Sequence, residues 1–319
     1  MTELSATGTP MMVLTGTANP SLAERIAEEL AQPLCAVTLK RFADGEIFVR
    51  IDENVRGRDV FVIQSTNPPA ENILELLLLI DAAKRASAAR VTAVVPYFGY
   101  ARQDRKDQPR VSIAAKLMAN LIVAAGADRL ITIDFHQHQL QGFFDIPVDH
   151  LYAAPVFMAH YEGMSRENLV VVATDVGAAK MARGYAKRLG AGLAIMDKRR
   201  PGPNEAEVMN VVGDVDGMRC IISDDMVDTA GTVASAAAAL RERGASEVYA
   251  IATHALLSGP AVERLNGADL VEVAVTDTIA IPGEKTAALR NLRTVSVARL
   301  LARAIESTHY NRSVSKLFT

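Results

Sequence analysis

The sequence predicts an α/β protein of two domains with parallel sheets, and three observations predict it. Short apolar, β-branched runs alternate with stretches of helical length in both halves of the chain. Each half ends an apolar run in carboxylates, Asp134 in the first and Asp175, Asp224 and Asp225 in the second; open α/β sheets bind ligands at such strand ends. Finally, 319 residues, 50% of them apolar, suffice for two cores of ordinary size. The similarity of the halves suggests a duplicated domain, divided as 1–150, with which the C-terminal tail can also be counted, and 151–319, with no low-complexity linker between them.

In the first half, residues 11–16 read as a strand and 20–31 as a helix, with Asn19 as its N-cap. Alternating segments at 36–42 and 47–51 flank Phe-Ala-Asp-Gly-Glu at 42–46, where Asp44-Gly45 signals a hairpin turn. Taken alone, that turn is an exposed one. Residues 59–66 are a further apolar run, 74–86 have helical length, and 91–97 form the next strand. Just past its end come Arg102, Gln103, Arg105 and Lys106, a position that favours contact with an anion. A helix at 112–126 ends at a glycine, and a strand at 129–134 leads to His136 and His138. A lone histidine is more often structural than a ligand, but His136 follows Asp134 closely at a strand end; His138 is expected to be exposed. Residues 142–147 read as a compact turn that begins the passage to the second half.

In the second half, 154–163 read as a helix, 169–173 as a buried strand ending at Thr174 and Asp175, and 178–189 as its helix. A strand at 193–196 runs into Asp-Lys-Arg-Arg-Pro-Gly-Pro-Asn at 197–204, whose prolines and glycine demand a loop. An extended segment follows at 208–212. Then come the buried strand Cys220-Ile221-Ile222, a short acidic loop with Asp224, Asp225 and Asp228, and Thr229-Ala230-Gly231-Thr232 opening an alanine-rich helix. Strands at 248–253 and 270–275 and a helix at 297–305 complete the pattern.

The stretch 219–232 carries the chemistry. The N–H groups and positive dipole end of a helix N-terminus suit a phosphate. Thr229 and Thr232 add hydroxyl donors, and Gly231 allows close approach of the backbone. Carboxylates repel phosphate, so the three acids must serve another part of the ligand; as acceptors they suit sugar hydroxyls. Phosphate on the loop and a diol on the acids describe ribose 5-phosphate. N-capping alone explains one such residue, not three acids and two threonines in nine positions.

The bulk properties exclude other classes. A net charge of −3 offers no electrostatic case for nucleic acid or a membrane surface. Two distant cysteines, Cys35 and Cys220, fit a reduced cytoplasmic protein and form neither a zinc site nor a disulfide framework. The first ten residues lack the pattern of a secretion signal. The most apolar run, 73–80, is too short to span a bilayer.

The motif Asp-Asp-Met-Val-Asp-Thr-Ala-Gly-Thr at 224–232 resembles the phosphoribosyl-diphosphate (PRPP) loop of type I phosphoribosyltransferases and of ribose-phosphate diphosphokinases, the PRPP synthetases. Four further stretches resemble the synthetases specifically: 95–106, similar to their ATP-binding stretch; 134–149, similar to their signature; 197–201, similar to their mobile catalytic loop; and 42–46, similar to their adenine-binding turn. The resemblance runs from about Thr15 to Ser315, and Arg-Gln-Asp-Arg-Lys at 102–106 and Gly-Phe-Phe-Asp-Ile-Pro at 142–147 are its most specific parts.

The resemblance implies two tandem phosphoribosyltransferase-type, Rossmann-like domains and a cytoplasmic, bacterial-type enzyme of nucleotide biosynthesis. Its reaction would be Mg2+-dependent transfer of the diphosphoryl group of ATP to the C1 hydroxyl of ribose 5-phosphate, giving PRPP and AMP. Asp44, Gly45, Glu46, Arg102 and Gln103 would bind ATP, and His136 and Asp175 would be associated with magnesium. Asp224, Asp225, Asp228, Thr229, Ala230, Gly231 and Thr232 would hold ribose 5-phosphate, together with Arg200. Lys198 and Arg200 would act in the transition state. It further implies a homo-oligomer, commonly a hexamer, in which the turn at 42–46 reaches a neighbour's ATP site, with phosphate and ADP as effectors. The chain departs from the family at Ala173-Thr174-Asp175-Val176-Gly177-Ala178, where Ser-Pro-Asp-x-Gly-Gly is usual, at Met181, usually arginine, and at Phe135, usually leucine. A phosphoribosyltransferase shares the 224–232 loop but has no need of Arg102-Gln103 or the Lys198 loop. A non-catalytic regulatory relative has no need to retain Lys198, Arg200, His136 and the acids together.

Overall fold

The computed structural model describes residues 9–199 and 208–317, and the chain divides into two compact units. One takes in the chain up to Tyr152, the short segment Thr278–Ala280 and everything from Ser296 onward; the other takes in Ala153–Asp277 and Ile281–Val295.

The first unit begins with β1 (Met11–Thr15), α1 (Pro20–Leu30), β2 (Val37–Arg41), β3 (Ile47–Ile51), β4 (Asp59–Ile63), α2 (Glu71–Arg85), β5 (Arg90–Val95), α3 (Ala114–Ala125), β6 (Arg129–Ile133) and β7 (Val148–Leu151). Its sheet has the order β1-β4-β5-β6-β7 with every neighbouring pair parallel. A parallel sheet is covered on both faces, and β4, Asp-Val-Phe-Val-Ile, is accordingly buried along its whole length. Asn19 starts α1 by accepting the Leu22 N–H on its side-chain oxygen at 3.3 Å, with Pro20 in the first turn. Gly126 ends α3 at φ +109°, a conformation that costs other residues strain. β2 and β3 form a separate antiparallel hairpin.

The second unit runs α4 (Ala154–His160), β8 (Leu169–Ala173), α5 (Ala179–Leu189), β9 (Gly192–Arg199), β10 (Val208–Val212), β11 (Arg219–Val227), α6 (Gly231–Glu242), β12 (Glu247–Ala255), α7 (Ala261–Gly267), β13 (Glu272–Thr276), α8 (Gly283–Ala288) and β14 (Leu292–Val295). Its sheet has the order β10-β9-β8-β11-β12-β13-β14. All neighbours are parallel except the edge strand β10, which pairs antiparallel with β9. The chain winds outward from β8 to β9 and β10, then returns to place β11 on the other side of β8. The carboxyl ends of β8 and β11 thus flank a topological switch point, where open α/β sheets form their ligand crevice.

The last helix, α9 (Ala298–His309), belongs to the first unit and packs against α1. Its end is tied to the start of the sheet. Buried Asp59 accepts from Arg90 Nε at 2.8 Å and lies 2.7 Å from His309 Nδ1, while Arg90 Nη2 donates to the Thr308 carbonyl at 3.0 Å.

Two α/β units with parallel sheets are as the sequence predicts, with five local differences. The passage to the second half does not begin at 142–147: a 3-10 segment, His138–Phe143, leads into β7, the fifth strand of the first sheet. β9 continues through Asp197, Lys198 and Arg199 because antiparallel β10 supplies it with backbone partners; the rest of the expected loop, with Arg200, lies outside the described residues. β11 does not stop at Ile222. It runs to Val227, so Asp224 and Asp225 are strand residues and not loop residues. Helices α7 and α8 and strand β14 had no counterpart in the sequence pattern. And α9 extends to His309, held by the contact with Asp59.

Candidate functional site

Each unit carries candidate residues at the carboxyl ends of its strands. In the second unit the acids stand at the switch point. Asp224 is paired in register with Ala252 of β12, and the buried Thr174 follows the end of β8. Asp225 N–H donates to Asp224 Oδ1 at 2.8 Å. Burial, and then the neighbouring charge of Asp225, push the Asp224 carboxyl up to about 8, against a smaller opposing effect of the Thr174 hydroxyl. Burial thus favours the protonated form of Asp224 over the charged one. A proton on this pair lets it donate as well as accept toward a sugar.

Substituting Asp224 by asparagine tests this directly. The folded pKa lies above the unfolded value, so the folded state keeps a proton that the unfolded chain has released between about pH 4 and pH 8. Stability from this group is intact below that window and is lost as pH rises through it. Asp224→Asn has no such loss. Its Tm is expected to match the parent near pH 4 and to exceed it by several degrees at pH 8.5, for a penalty of about 1–3 kcal/mol. Equal Tm values at both pH values in a thermal scan would refute the shift.

The loop from Asp228 to Thr232 is braced by its own backbone and by an arginine. The Asp228 carbonyl accepts from Ser258 N–H at 2.8 Å, and the Val227 carbonyl from Leu257 N–H at 3.0 Å. Arg264 of α7 donates through Nη1 to the Thr229 carbonyl at 3.1 Å. Ala230, not Gly231, takes the left-handed conformation, at φ +58°. It is the N-cap of α6 and offers no side-chain acceptor to the first turn of that helix. A helix N-terminus without a side-chain cap is a place where an anion can be held by backbone N–H groups. Asp175, also in this unit, is exposed and accepts the Ala178 N–H on Oδ1 at 2.8 Å, capping the turn that leads to α5. Lys198 lies in β9 with its backbone opposite Met209, whereas Arg200 is outside the described residues.

In the first unit Arg102, Gln103 and His136 line one cavity of about 450 Å³ together with Asp104, Gln137 and Gln139, a size usual for small-molecule sites. Arg102 and Gln103 follow β5 and His136 follows β6, so adjacent parallel strands deliver them to the same end of the sheet. Beneath them Phe98 meets Phe135 and Phe144 edge-on, with ring centroids 5.5 and 5.6 Å apart. This cluster locks the two loops to each other and buries the phenylalanine that replaces the family's leucine. Asp44, Gly45 and Glu46 do not line this cavity. They form the exposed tip of the β2–β3 hairpin, closed by Phe42 N–H to the Glu46 carbonyl at 2.9 Å and by Asp44 Oδ1 accepting from Glu46 N–H at 3.0 Å, with Gly45 at φ +96°. His138 is not exposed as expected; it is half-buried against the rings of His150 and Tyr152, 5.3 and 5.7 Å away.

Two supporting residues escaped the sequence reading. Arg264 sits on a short helix with no periodic signal, and only an acceptor carbonyl opposite gives it a role. Thr174 stands where the family resemblance has proline; the hydroxyl next to a carboxylate was the available clue.

Comparison with known proteins gives a consistent result. The family model of the N-terminal domain of ribose phosphate pyrophosphokinase matches residues 11–126, and that of the phosphoribosyl synthetase-associated domain matches residues 196–319. The chain is 52% identical over 311 residues to the ribose-phosphate pyrophosphokinase of Chlorobaculum tepidum, covering 97% of this chain and 95% of the relative. It is 54% identical over 313 residues to that of Maricaulis maris, covering 97% and 100%. It is 53% identical over 320 residues to the chloroplastic ribose-phosphate pyrophosphokinase 1 of Arabidopsis thaliana, covering 99% and 79%. The crystal structure of phosphoribosylpyrophosphate synthetase from Mycobacterium smegmatis superposes with a TM-score of 0.89 at 44% identity, covering 95% of this chain and all of that one.

Proposed function

The chain belongs to the ribose-phosphate pyrophosphokinase family, and from that premise we propose how its residues divide the family's reaction. The enzyme transfers the diphosphoryl group of ATP to the C1 hydroxyl of ribose 5-phosphate and yields PRPP and AMP. The observation that carries the division of labour is the pairing of Asp224-Asp225 at the end of β11 with the uncapped N-terminus of α6. The acids take sugar hydroxyls and the helix N-terminus takes the 5-phosphate, which fixes the orientation of ribose 5-phosphate. AMP release from ATP and ribose 5-phosphate tests the reading. Consumption of PRPP with a nucleobase acceptor and release of pyrophosphate, without AMP formation from ATP and ribose 5-phosphate, would indicate a phosphoribosyltransferase, and no turnover at all a regulatory relative.

The ribose and ATP subsites make a separable prediction. A carboxylate facing sugar hydroxyls has no part in holding adenine, so Asp228→Ala is expected to raise the KM for ribose 5-phosphate about 10- to 100-fold, the loss of a charged hydrogen bond, and to leave the KM for ATP unchanged. An equal rise in both would contradict the division.

The attacking hydroxyl adds to the β-phosphorus as the bond to the AMP oxygen breaks. Negative charge grows on the oxygens around that phosphorus. Lys198 supplies a point charge to these oxygens, and Arg200 a planar fork that also reaches ribose 5-phosphate. Arg102 and Gln103 hold the nucleotide in the cavity that follows β5, and Asp44, Gly45 and Glu46 offer hydrogen bonds to adenine across a subunit boundary in a homo-oligomer, a hexamer by analogy.

Magnesium fits the donors present. Among the described residues, no group of three His, Cys, Asp or Glu side chains is arranged to hold a metal ion. Asp175, exposed and already accepting one backbone N–H, offers a carboxylate edge, and His136 an imidazole at the cavity wall. In each unit a lone donor suits an ion that retains waters and phosphate oxygens. When bound, magnesium neutralises charge on the transferring phosphoryl group. Replacing His136 with alanine is expected to raise the Mg2+ concentration for half-maximal activity about 10-fold or more; an unchanged requirement would make His136 a structural histidine.

A further inference from the structure

His136 stands at the end of a turn whose backbone is held from below. β6 ends at Ile133, and Asp134 takes the left-handed conformation at φ +37°. Aspartate is one of the side-chain-bearing residues that tolerate this backbone, and two hydrogen bonds hold it in place here. Asp134 N–H donates to the Leu151 carbonyl of β7 at 3.0 Å, extending the sheet by one residue. The next N–H, that of Phe135, donates to His150 Nε2 at 2.9 Å. A backbone N–H can only donate, so Nε2 of His150 must be the unprotonated nitrogen and the ring proton sits on Nδ1. His150 is 8% exposed, and its ring lies against Phe135, His138 and Tyr152, at 5.0, 5.3 and 4.8 Å between centroids. It therefore has little freedom to turn away from the bond it accepts.

We propose that His150 is a positioning residue for the nucleotide site: as a neutral imidazole it accepts the Phe135 N–H and thereby sets the turn that presents His136 to the ATP cavity. The bonded N–H lies in the peptide that joins Asp134 to Phe135, so a shift there is passed to His136 through a single intervening peptide. Phe135 transmits the same constraint sideways, because its ring is stacked on Phe144 at 6.3 Å and edge-on to Phe98 at the root of the Arg102-Gln103 loop. One imidazole on β7 thus holds both walls of the cavity in register. The inference rests on the assignment of His136 to nucleotide-bound magnesium.

The test compares His150→Leu, His150→Met and His150→Gln with His136→Ala in the full chain, measuring AMP release while ATP, Mg2+ and ribose 5-phosphate are varied in turn, with Tm alongside. Leucine and methionine remove the acceptor, and glutamine restores one on a chain of similar reach. The leucine and methionine variants are expected to raise the KM for ATP and the Mg2+ requirement about 10-fold, with the KM for ribose 5-phosphate unchanged, and glutamine to return both to near the parent values. A merely structural histidine would lower Tm and impair all three dependences alike, with no rescue by glutamine; that pattern overturns the proposal. Should neither apolar variant fold, His150→Gln decides: parent-like ATP and Mg2+ dependence supports the role of the acceptor, and a 10-fold rise in ATP KM overturns it. His136→Ala separates the two levels. If it leaves ATP and Mg2+ dependence intact, the underlying assignment fails. If it impairs them while His150→Leu behaves like the parent, the positioning role alone fails.

Discussion

Replacing Lys198 with alanine is expected to lower kcat about 1000-fold, the scale on which a cation aimed at a transferring phosphoryl group contributes. Lys198 begins the run of cations that ends in Pro201-Gly202-Pro203, and it lies on β9 two strands out from β11 in the same sheet. The residues that hold ribose 5-phosphate under our proposal belong to other elements, β11 and the start of α6. Removing the ammonium therefore leaves them intact. The Kd for ribose 5-phosphate and the Tm should stay at the parent values while turnover collapses, since a charge that counts only as the β-phosphorus is attacked adds nothing to ground-state binding. Rapid-quench measurement of AMP formation with both substrates saturating checks it. Turnover within a fewfold of the parent would remove Lys198 from the chemistry.

The second large effect concerns assembly. The β2–β3 hairpin is a sheet of its own, and its tip exposes Asp44, Gly45 and Glu46 to solvent outside the cavity that holds Arg102 and Gln103. We propose that the tip serves the ATP site of a neighbouring copy. A double variant, Asp44→Ala with Glu46→Ala, and the single variant Lys198→Ala should then each be inactive alone and complement when mixed. In a randomly mixed oligomer about a quarter of sites would join an intact tip from one copy to an intact Lys198 from another, by symmetry of the contacts. Co-expression with two tags, purification through both and measurement of AMP release reads the recovery. Activity at background level in a species shown to contain both chains would mean that each site is complete within one subunit.

What could be read in the sequence was the part governed by local pattern. Apart from Asp59 at the start of β4 and Ala173 at the end of β8, these buried strands are continuous runs of Val, Ile, Phe and Leu, so their strand character needs no tertiary context. Asn19 before Pro20, Gly126 after α3 and Asp44-Gly45 in the hairpin are local signals, and each does in the structure what its chemistry dictates. The misses have a common cause. β7 is only four residues, Val-Asp-His-Leu, and exists because β6 offers it a parallel partner. β9 runs through three charged residues because β10 folds back along it. β11 continues through Asp224 and Asp225 because β12 pairs with Asp224, Met226 and Val227, as far as Ala255. Within the candidate site, the residue types along 224–232 were legible, but the left-handed Ala230, the brace from Arg264 and the upward push of burial on the Asp224 carboxyl were not. Each depends on a group distant in sequence or on burial, and a single chain of letters records neither.

The second unit is an insertion within the first, and this has a consequence for how the protein is made. On the ribosome the N-terminal strands emerge first, yet they must wait for α9, whose His309 and Thr308 join Asp59 and Arg90 in a buried cluster. Everything the second unit requires has already been translated by Val295. The part of the chain born first is thus completed last, and until then it carries a buried-type aspartate and arginine without their final partner. For the time that translation takes to cover the inserted unit, at the usual handful of residues per second, the nascent first sheet is the portion that most needs shielding from other unfinished chains.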